Sequence, residues 1–415
     1  MDKRMVELFA GVGGFRLGFD RLKSGWDTVW FSQWEPGAKK QWAHDCYVSH
    51  FGDCKDLKGE YHTGEDISTV DKNSIPDHTL LVGGFPCQDY SIMNRGREGM
   101  VGKKGVLWWQ IYAILEAKKP AFCMFENVGP LLSMPVNQKG RDFATLLWCL
   151  NNLGYSAEWR LINAAEYGGC QKRRRVFIFV WRNDTNYGGS VKPVAFTDAF
   201  GLLTQDCLMQ KAFPGDLSGM IYTGELPADV NDLQDSFSFD FRSSGVMVDG
   251  LFHTVDVDSF GDIPCGTLGS VLETGVAEEF FIDEPLKIDK LRYFKSAKTV
   301  ERKAKYGPNE TYLFSEGNIP FPDRLDAPSR TMITSEGTFS RESHIVLDPE
   351  NSRYRFITPI EAERLQGFDD DWTHYAVGGV EVPKRMRYFF MGNSLVVPMI
   401  TRMGKVLDEI ISHEA

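Results

Sequence analysis

The feature that most limits what this 415-residue chain can fold into is an alternation in its first half. Short apolar runs, MVELFA (5–10), TVWFS (28–32), TLLVGG (79–84), AFCMFENV (121–128), WRLIN (159–163) and RVFIFV (175–180), alternate with longer amphipathic stretches, GFRLGFDRL (14–22), GVLWWQIYAILEA (105–117) and DFATLLWCLNNLG (142–154). Apolar runs this short read as strands, and the longer stretches with 3.6-residue periodicity as helices. Strands joined by helices predict an α/β fold with a doubly wound, mostly parallel sheet. Such sheets bind ligands at the carboxyl ends of their strands, so the polar motifs that follow each run are the candidate sites.

From about residue 186 Gly, Asp, Ser and aromatic residues dominate, and FSFDFRSSGVMVDGLFHTVDV (237–257) alternates like β-structure. The sequence therefore predicts two domains: 1–185 with about 375–415 as the doubly wound one, and 186–374, including a motif at 355–372, as a second, smaller, mainly β one. TPIEAERLQGF (358–368) opens with a Thr-Pro helix start. The eight cysteines are scattered with no CxxC pair, which predicts free thiols in a reducing cytoplasm and no metal site. No apolar run approaches the roughly 20 residues that span a bilayer, so no membrane partner is expected. A net charge of −11 argues mildly against a nucleic-acid partner. The positive charge is nevertheless clustered, in IMNRGREGMVGKKG (92–105) and KIDKLRYFKSAKTVERKAK (287–305).

Residues 6–19, VELFAGVGGFRLGF, place Gly11, Gly13 and Gly14 between a strand and a helix, where a ligand can approach the backbone. No Lys-Ser/Thr follows, so this is not a triphosphate loop. The next strand ends SQWEP: Trp34 could stack on an adenine, and Glu35 lies about 20 residues on, where an acidic group meets a ribose. Asp66 before Ile67 could take an adenine amino group. In LLVGGFPCQDYS (80–91) the apolar run breaks at two glycines, and Pro86 leads directly to Cys87. A thiol at a strand's carboxyl end lies in the ligand crevice, where backbone N–H groups or arginines would raise its thiolate fraction.

In chain order, FAGVGG, GGFPCQDYS, FENV (125–128), QKRRR (171–175), RLQGF (364–368) and MGNSLVVP (391–398) resemble the cytosine-5 DNA methyltransferases of the bacterial modification type. The resemblance implies a Rossmann-like methyltransferase domain and a target-recognition domain. It implies S-adenosyl-L-methionine as cofactor, with S-adenosyl-L-homocysteine as product. In that family the thiolate attacks C6 of cytosine and makes C5 nucleophilic toward the methyl group; loss of the C5 proton then expels the cysteine. The resemblance gives Cys87 this role, Glu126 the proton at N3, Arg175 the O2 contact and Arg173 the reach toward the catalytic loop. It assigns Phe9, Gly11, Gly13, Gly14, Trp34, Glu35, Asp66, Ile67, Pro86, Leu107, Asn393 and Ser394 to the cofactor pocket, and Gln88, Ser91, Arg95 and Arg97 to DNA. The implied partner is double-stranded DNA with its target base flipped out. A cognate restriction endonuclease is a possible companion, and the chain is expected to be a monomer.

Three points stay open at this level. Many members carry an acidic residue just before the tryptophan; here Gln33 stands there, so either Gln33 or Glu35 meets the ribose. Burial raises the pKa of a carboxyl such as Glu126 and a neighbouring arginine lowers it, so the net shift is not fixed. No signal names the base-reading residues, Arg242 and Gln234 being only polar candidates. The rivals are a transfer-RNA cytosine methyltransferase of the same architecture, a dinucleotide oxidoreductase using the glycine loop and Glu35, and a catalytically silent DNA-binding protein. Calorimetry should show that the chain binds S-adenosylhomocysteine and not NAD; the reverse selectivity overturns the methyltransferase reading.

Overall fold

The computed structural model describes residues 1–85, 107–259, 261–303 and 311–414. The six expected strands form: β1 (Arg4–Leu8), β2 (Asp27–Ser32), β3 (Leu80–Gly84), β4 (Phe122–Val128), β5 (Tyr155–Asn163) and β6 (Arg174–Arg182). Between them lie α1 (Gly14–Asp20), α2 (Trp42–Phe51), α3 (Leu107–Lys118) and α4 (Arg141–Asn152). β1 pairs in parallel with β2 and β3, and β3 with β4. β6 then lies antiparallel between β4 and β5.

Alternate strand residues face opposite sides of the sheet. Met5, Leu80, Val82, Phe122, Met124 and Phe179 enter one core, while Val6, Leu8, Leu81, Cys123, Phe125 and Ile178 enter the other. Phe15 and Phe19 of α1 complete the first; Trp108 and Ile111 of α3 and Phe143 and Leu147 of α4 complete the second. Burial on both faces is why these strands read as continuous apolar runs rather than as alternating ones.

The sheet does not stop at residue 185. After α5 (Asn186–Thr197), β7 (Gly215–Glu225), β8 (Ser244–Val248) and β9 (Leu251–Ser259) extend it, β8 pairing with β5. The order is β2-β1-β3-β4-β6-β5-β8-β9-β7. Six of these nine strands, β1 to β5 and β9, point the same way. Residues 186–259, which composition groups with the second domain, thus build onto the first. The aromatic alternation at 237–241 is the cause: Phe239 and Phe241 pack with Phe252, Phe143 and Trp159 and cover the extended sheet. Gln234 and Arg242 belong to this extension. Gln234 donates to Thr145 Oγ1 at 3.0 Å, and Arg242 lies over Tyr222 at 4.6 Å.

Beyond residue 260 come α6 (Pro285–Lys295) and an antiparallel two-stranded ribbon, β10 (Lys298–Lys303) and β11 (Thr311–Glu316). A second short pair joins Ile345–Leu347 to Tyr354–Phe356. Buried ion pairs hold this part together: Lys295 with Asp323 at 3.5 Å, Arg355 with Asp348 at 2.6 Å and Arg355 with Glu361 at 2.7 Å. A capping box of Thr358 and Glu361 starts α7 (Pro359–Gln366), as the Thr-Pro signal predicts. The chain after α7 returns to the first domain, where the Trp372 indole N–H donates to the Val12 carbonyl at 2.8 Å. The 355–372 motif is therefore packed on the glycine loop, although composition groups it with the second domain.

α8 (Lys384–Asn393) and α9 (Val397–Ile411) close the fold. α9 crosses α1 at Gly18, where a Cβ would lie 2.6 Å from Ile400 Cβ, and Thr401 Oγ1 donates to the Gly18 carbonyl at 2.9 Å. Overpacking at such a crossing costs about 1–3 kcal/mol, more than the roughly 1 kcal/mol of helix propensity that alanine gains over glycine. Gly18→Ala should therefore lower the thermal midpoint by a few degrees in a calorimetric scan; an unchanged or raised midpoint contradicts the close crossing.

Candidate active site

β1, β2, β3 and β4 all end at one edge of the sheet, and antiparallel β6 begins there. The glycine loop leaves β1 through Phe9, which has φ 54°, and Gly11 and Gly13, with φ 57° and 89°. Its three glycines serve different ends. A Cβ at Gly11 would meet nothing within 4 Å, so that backbone borders open space. A Cβ at Gly13 would come 2.6 Å from the Phe51 ring, and one at Gly14 3.1 Å from Leu395. Gly13 and Gly14 therefore allow close packing, and only Gly11 leaves room for a ligand.

Beneath the loop lies Glu7, fully buried on β1. Its carboxyl accepts from the Phe15 backbone N–H at 3.2 Å and the Tyr47 hydroxyl at 3.1 Å. Burial pushes its pKa up to about 8, against the opposing effects of Tyr47 and Arg16. Glu7 and Tyr47 were not singled out in the sequence; the available signal was a lone charge inside an apolar strand.

Gln33 and Glu35 separate clearly. The Gln33 side-chain oxygen accepts from the Gly11 N–H at 2.7 Å, and its backbone N–H donates to the Thr63 carbonyl at 2.8 Å. Gln33 is thus committed to shaping the loop. Glu35 is half-buried, and burial holds its carboxyl above the usual range. Its backbone is tied to Gln41, but no side chain among the described residues donates to its carboxylate. Trp34 beside it is 37% exposed. Asp66 accepts from the Ser68 N–H at 2.9 Å, and Ile67 is buried. Leu107 is partly buried at the start of α3.

Glu126 sits near the end of β4, paired with Gly84 on β3 and Phe177 on β6. Its Oε2 would lie 3.1 Å from a Cβ at Gly84, so the glycine leaves room for the carboxyl. The Arg175 Nε lies 2.9 Å from Glu126 Oε1. Burial nevertheless dominates and raises the Glu126 pKa, with Arg175 and Arg173 opposing it. Next to it, the Asn127 side chain donates to the Phe85 carbonyl at 2.8 Å and so pins the chain where it leaves β3 toward Pro86 and Cys87. Pro86, Cys87, Gln88, Ser91, Arg95 and Arg97 lie outside the described residues.

Arg173 is buried, and its guanidinium donates to the Met332 carbonyl at 3.2 Å and the Gly392 carbonyl at 2.9 Å. Burial, with Arg175 adding to it, lowers its pKa to about 9. Arg173 immediately precedes β6, on which Arg175 lies, and it spends its donors on backbone. Gln171, also buried, accepts from the Met332 N–H at 2.9 Å. On the same seam a Cβ at Gly392 would come 2.4 Å from the Thr334 nitrogen. Asn393 is exposed, and Ser394 Oγ donates to the Leu395 carbonyl at 3.2 Å. Among the described residues no cluster of His, Cys, Asp or Glu could hold a metal, and no helix is long and apolar enough to cross a membrane.

A family model for C-5 cytosine-specific DNA methylases matches residues 3–218 and 270–409. The chain is 42% identical to the type II methyltransferase M.Sau3AI of Staphylococcus aureus, over 99% of this chain and 96% of that one. It is 34% identical to M.HhaI of Haemophilus parahaemolyticus over 44% of this chain and 50% of that one. The solved S. pombe Dnmt2 methyltransferase shares the fold, with a TM-score of 0.57 at 16% identity over 98% of this chain and 99% of that one. The chain belongs to the C-5 cytosine-specific DNA methylase family. It is a DNA methyltransferase that acts at C5 of cytosine, on a Rossmann-like sheet.

Glu7 yields a pH test. Its folded pKa of about 8 exceeds the unfolded value near 4.5. The stability that its protonated form contributes is therefore complete below about pH 4.5 and is lost as pH rises through about 8. Glu7→Gln keeps acceptors for Phe15 and Tyr47 without that loss. Over this window the variant should gain on the parent by on the order of 1 kcal/mol per pH unit in chemical denaturation. Parallel pH profiles for the two proteins rule out a protonated Glu7.

Proposed function

We propose that this chain methylates a cytosine flipped out of a specific duplex sequence, through a transient covalent bond from Cys87, with S-adenosylmethionine held in the crevice beside the glycine loop. The observation that carries the reading is the Glu126–Arg175 pair, 2.9 Å apart at the strand ends, with the Glu126 carboxyl raised by burial. A carboxyl that burial holds above its ordinary range gives up a proton less readily, which suits a group that shares one at cytosine N3, and Arg175 is placed to meet O2.

The cofactor suits the residues present. Open space over Gly11 admits a ligand against the backbone, the free Glu35 carboxylate suits ribose hydroxyls, and half-open Trp34 suits an adenine face. Asp66 and Ile67 would meet the adenine, and Phe9, Leu107, Asn393 and Ser394 would border the remainder. Bound there, S-adenosylmethionine would supply the electrophilic methyl group that C5 takes. The chain's own residues do the rest. The Cys87 thiolate adds to C6 and the electron pair moves toward N3, where Glu126 holds the proton. Once C5 carries the methyl group, a base takes the C5 proton, the C–H pair rebuilds the C5–C6 double bond, and the C6–S bond breaks to release the thiolate. Asn127 fixes the start of the cysteine segment through Phe85, which favours an aligned attack. Arg173 acts as a positioning residue, through Met332 and Gly392.

Double-stranded DNA is the substrate that this reading requires, with Gln88, Ser91, Arg95 and Arg97 gripping it. The near full-length likeness to a type II methyltransferase supports DNA over transfer RNA, and supports a modification role in the cytoplasm beside a cognate endonuclease. Target recognition falls to the part after residue 260, since residues 186–259 complete the catalytic sheet.

Cys87→Ala should abolish methylation while S-adenosylhomocysteine binding persists, and Glu126→Gln should lower turnover by about 100-fold or more. A duplex carrying 5-fluorocytosine at the target should trap the parent as a covalent adduct visible by mass spectrometry, because fluorine does not leave as the proton does. Normal turnover by Cys87→Ala would falsify the mechanism.

A further inference from the structure

The β10–β11 ribbon carries a pattern that packing does not explain. Cross-strand register places Lys298, Val300, Arg302, Tyr312, Phe314 and Glu316 on one face, and Thr299, Glu301, Thr311, Leu313 and Ser315 on the other. The first face is the fastened one. Lys298 and Arg302 both reach Glu316, at 3.2 and 2.9 Å, and the Arg302 guanidinium lies 4.0 Å over the Phe314 ring. Arg341 sits 3.6 Å from Glu316 and donates to the Phe294, Ser296 and Gly317 carbonyls, bolting the base of the ribbon to α6. The second face is the more open one: Thr299, Glu301, Thr311 and Ser315 are exposed, with the Thr311 hydroxyl donating to the Glu301 carboxylate at 2.5 Å, and Leu313 is 76% exposed. A two-stranded ribbon is marginal in water without such anchoring.

The ribbon's root leads to the catalytic strand. Arg330 donates to the Glu342 and Ser343 carbonyls, which flank the Arg341 bolt. One residue earlier, Ser329 exchanges backbone hydrogen bonds of 2.8 Å with Cys170 and Lys172, at the start of the segment that presents Arg173 and Arg175. The surrounding charge names the occupant. Residues 285–303 hold seven Lys or Arg against two Asp or Glu, within a chain of net charge −11. Such a local excess of positive charge suits a polyanion.

We infer that the outward face of this ribbon, Thr299, Glu301, Leu313 and Ser315, is the base-reading surface, laid in the major groove beside the flipped cytosine. This rests on the DNA reading above. The major groove admits a two-stranded ribbon, and the side chains match its code. A carboxylate accepts from a cytosine amino group, hydroxyls meet either kind of edge group, and an aliphatic side chain meets a thymine methyl. The fastened face and α6 supply phosphate contacts, which position without specifying.

The test uses the full chain, with its target found by sequencing methylated plasmid from cells that express it. Glu301→Ala and Leu313→Ala change exposed side chains and should leave the thermal midpoint and S-adenosylhomocysteine affinity unchanged. Each should lower kcat/KM on the cognate duplex about tenfold, while residual activity on duplexes with one altered base pair stays level, so discrimination narrows. Undiminished discrimination, or an equal loss on every duplex, overturns the assignment; the second outcome marks a phosphate clamp. A parent inert on every duplex overturns the DNA reading itself, and the ribbon assignment with it.

Discussion

The proposed chemistry depends on one reversal in the sheet. β6 runs antiparallel to β4, so it begins at the edge where the parallel strands end. Val128 therefore faces Arg175 across the ladder, and Arg175 reaches Glu126 two residues further in, at 2.9 Å. A parallel strand in that position would carry its leading arginines to the opposite edge, more than 20 Å away for a strand of this length by ordinary rise. The pair is expensive, because removing two charges from water costs several kcal/mol per ion before their attraction returns it. Here burial outweighs that attraction at Glu126, and the carboxyl stays above its ordinary range. A fold that only needed stability would gain from apolar residues at both positions; a site that must share a proton needs the imbalance.

The same strand start also carries mechanical load. Arg173 is a buried cation with no carboxylate in hydrogen-bond reach among the described residues, and it is satisfied by the Met332 and Gly392 carbonyls. Those carbonyls belong to segments that are distant in sequence, Met332 following the β10–β11 ribbon and Gly392 near the end of α8. Gln171 adds a third tie, to Met332. From the other side Trp372 reaches Val12, and Leu395 closes on Gly14. Residues 171–175, 329–334 and 391–395 thus meet around the crevice, which accounts for the appearance of their motifs at both ends of the chain.

How much of this was legible follows from burial. The first six strands were readable because both faces of the sheet are covered, which leaves unbroken apolar runs. The alternation over 237–257 did announce β-structure where β8 and β9 form, but not that these strands join the first sheet, because the same pattern suits a separate β domain equally well. The glycine pattern located the loop but not the division of labour within it, since φ and Cβ clearance at Gly11 and Gly13 depend on residues as distant as Phe51. Gln33 and Glu35 were ambiguous by spacing, and a single hydrogen bond from Gly11 separates them. The arginine alternation could not show that one guanidinium faces carbonyls and the other a carboxyl. Asn127 was visible only as part of a motif; its bond to Phe85 exists because β3 and β4 end in register.

Net charge was the least informative quantity in the sequence, for a physical reason. Salt screens exposed charges over about 8 Å at physiological ionic strength. A ligand therefore senses the charges within one or two such lengths rather than the sum of −11. Many of the acidic residues are already spent within the protein: Asp348 and Glu361 on Arg355, Glu363 on Arg387, Asp323 on Lys295 and Arg330. Glu7 lies buried with a pKa pushed up to about 8, so it carries less negative charge near neutrality than its formal count assumes. What remains on the recognition side is the basic stretch from α6 into the ribbon. An acidic protein can in this way present a cationic surface to DNA.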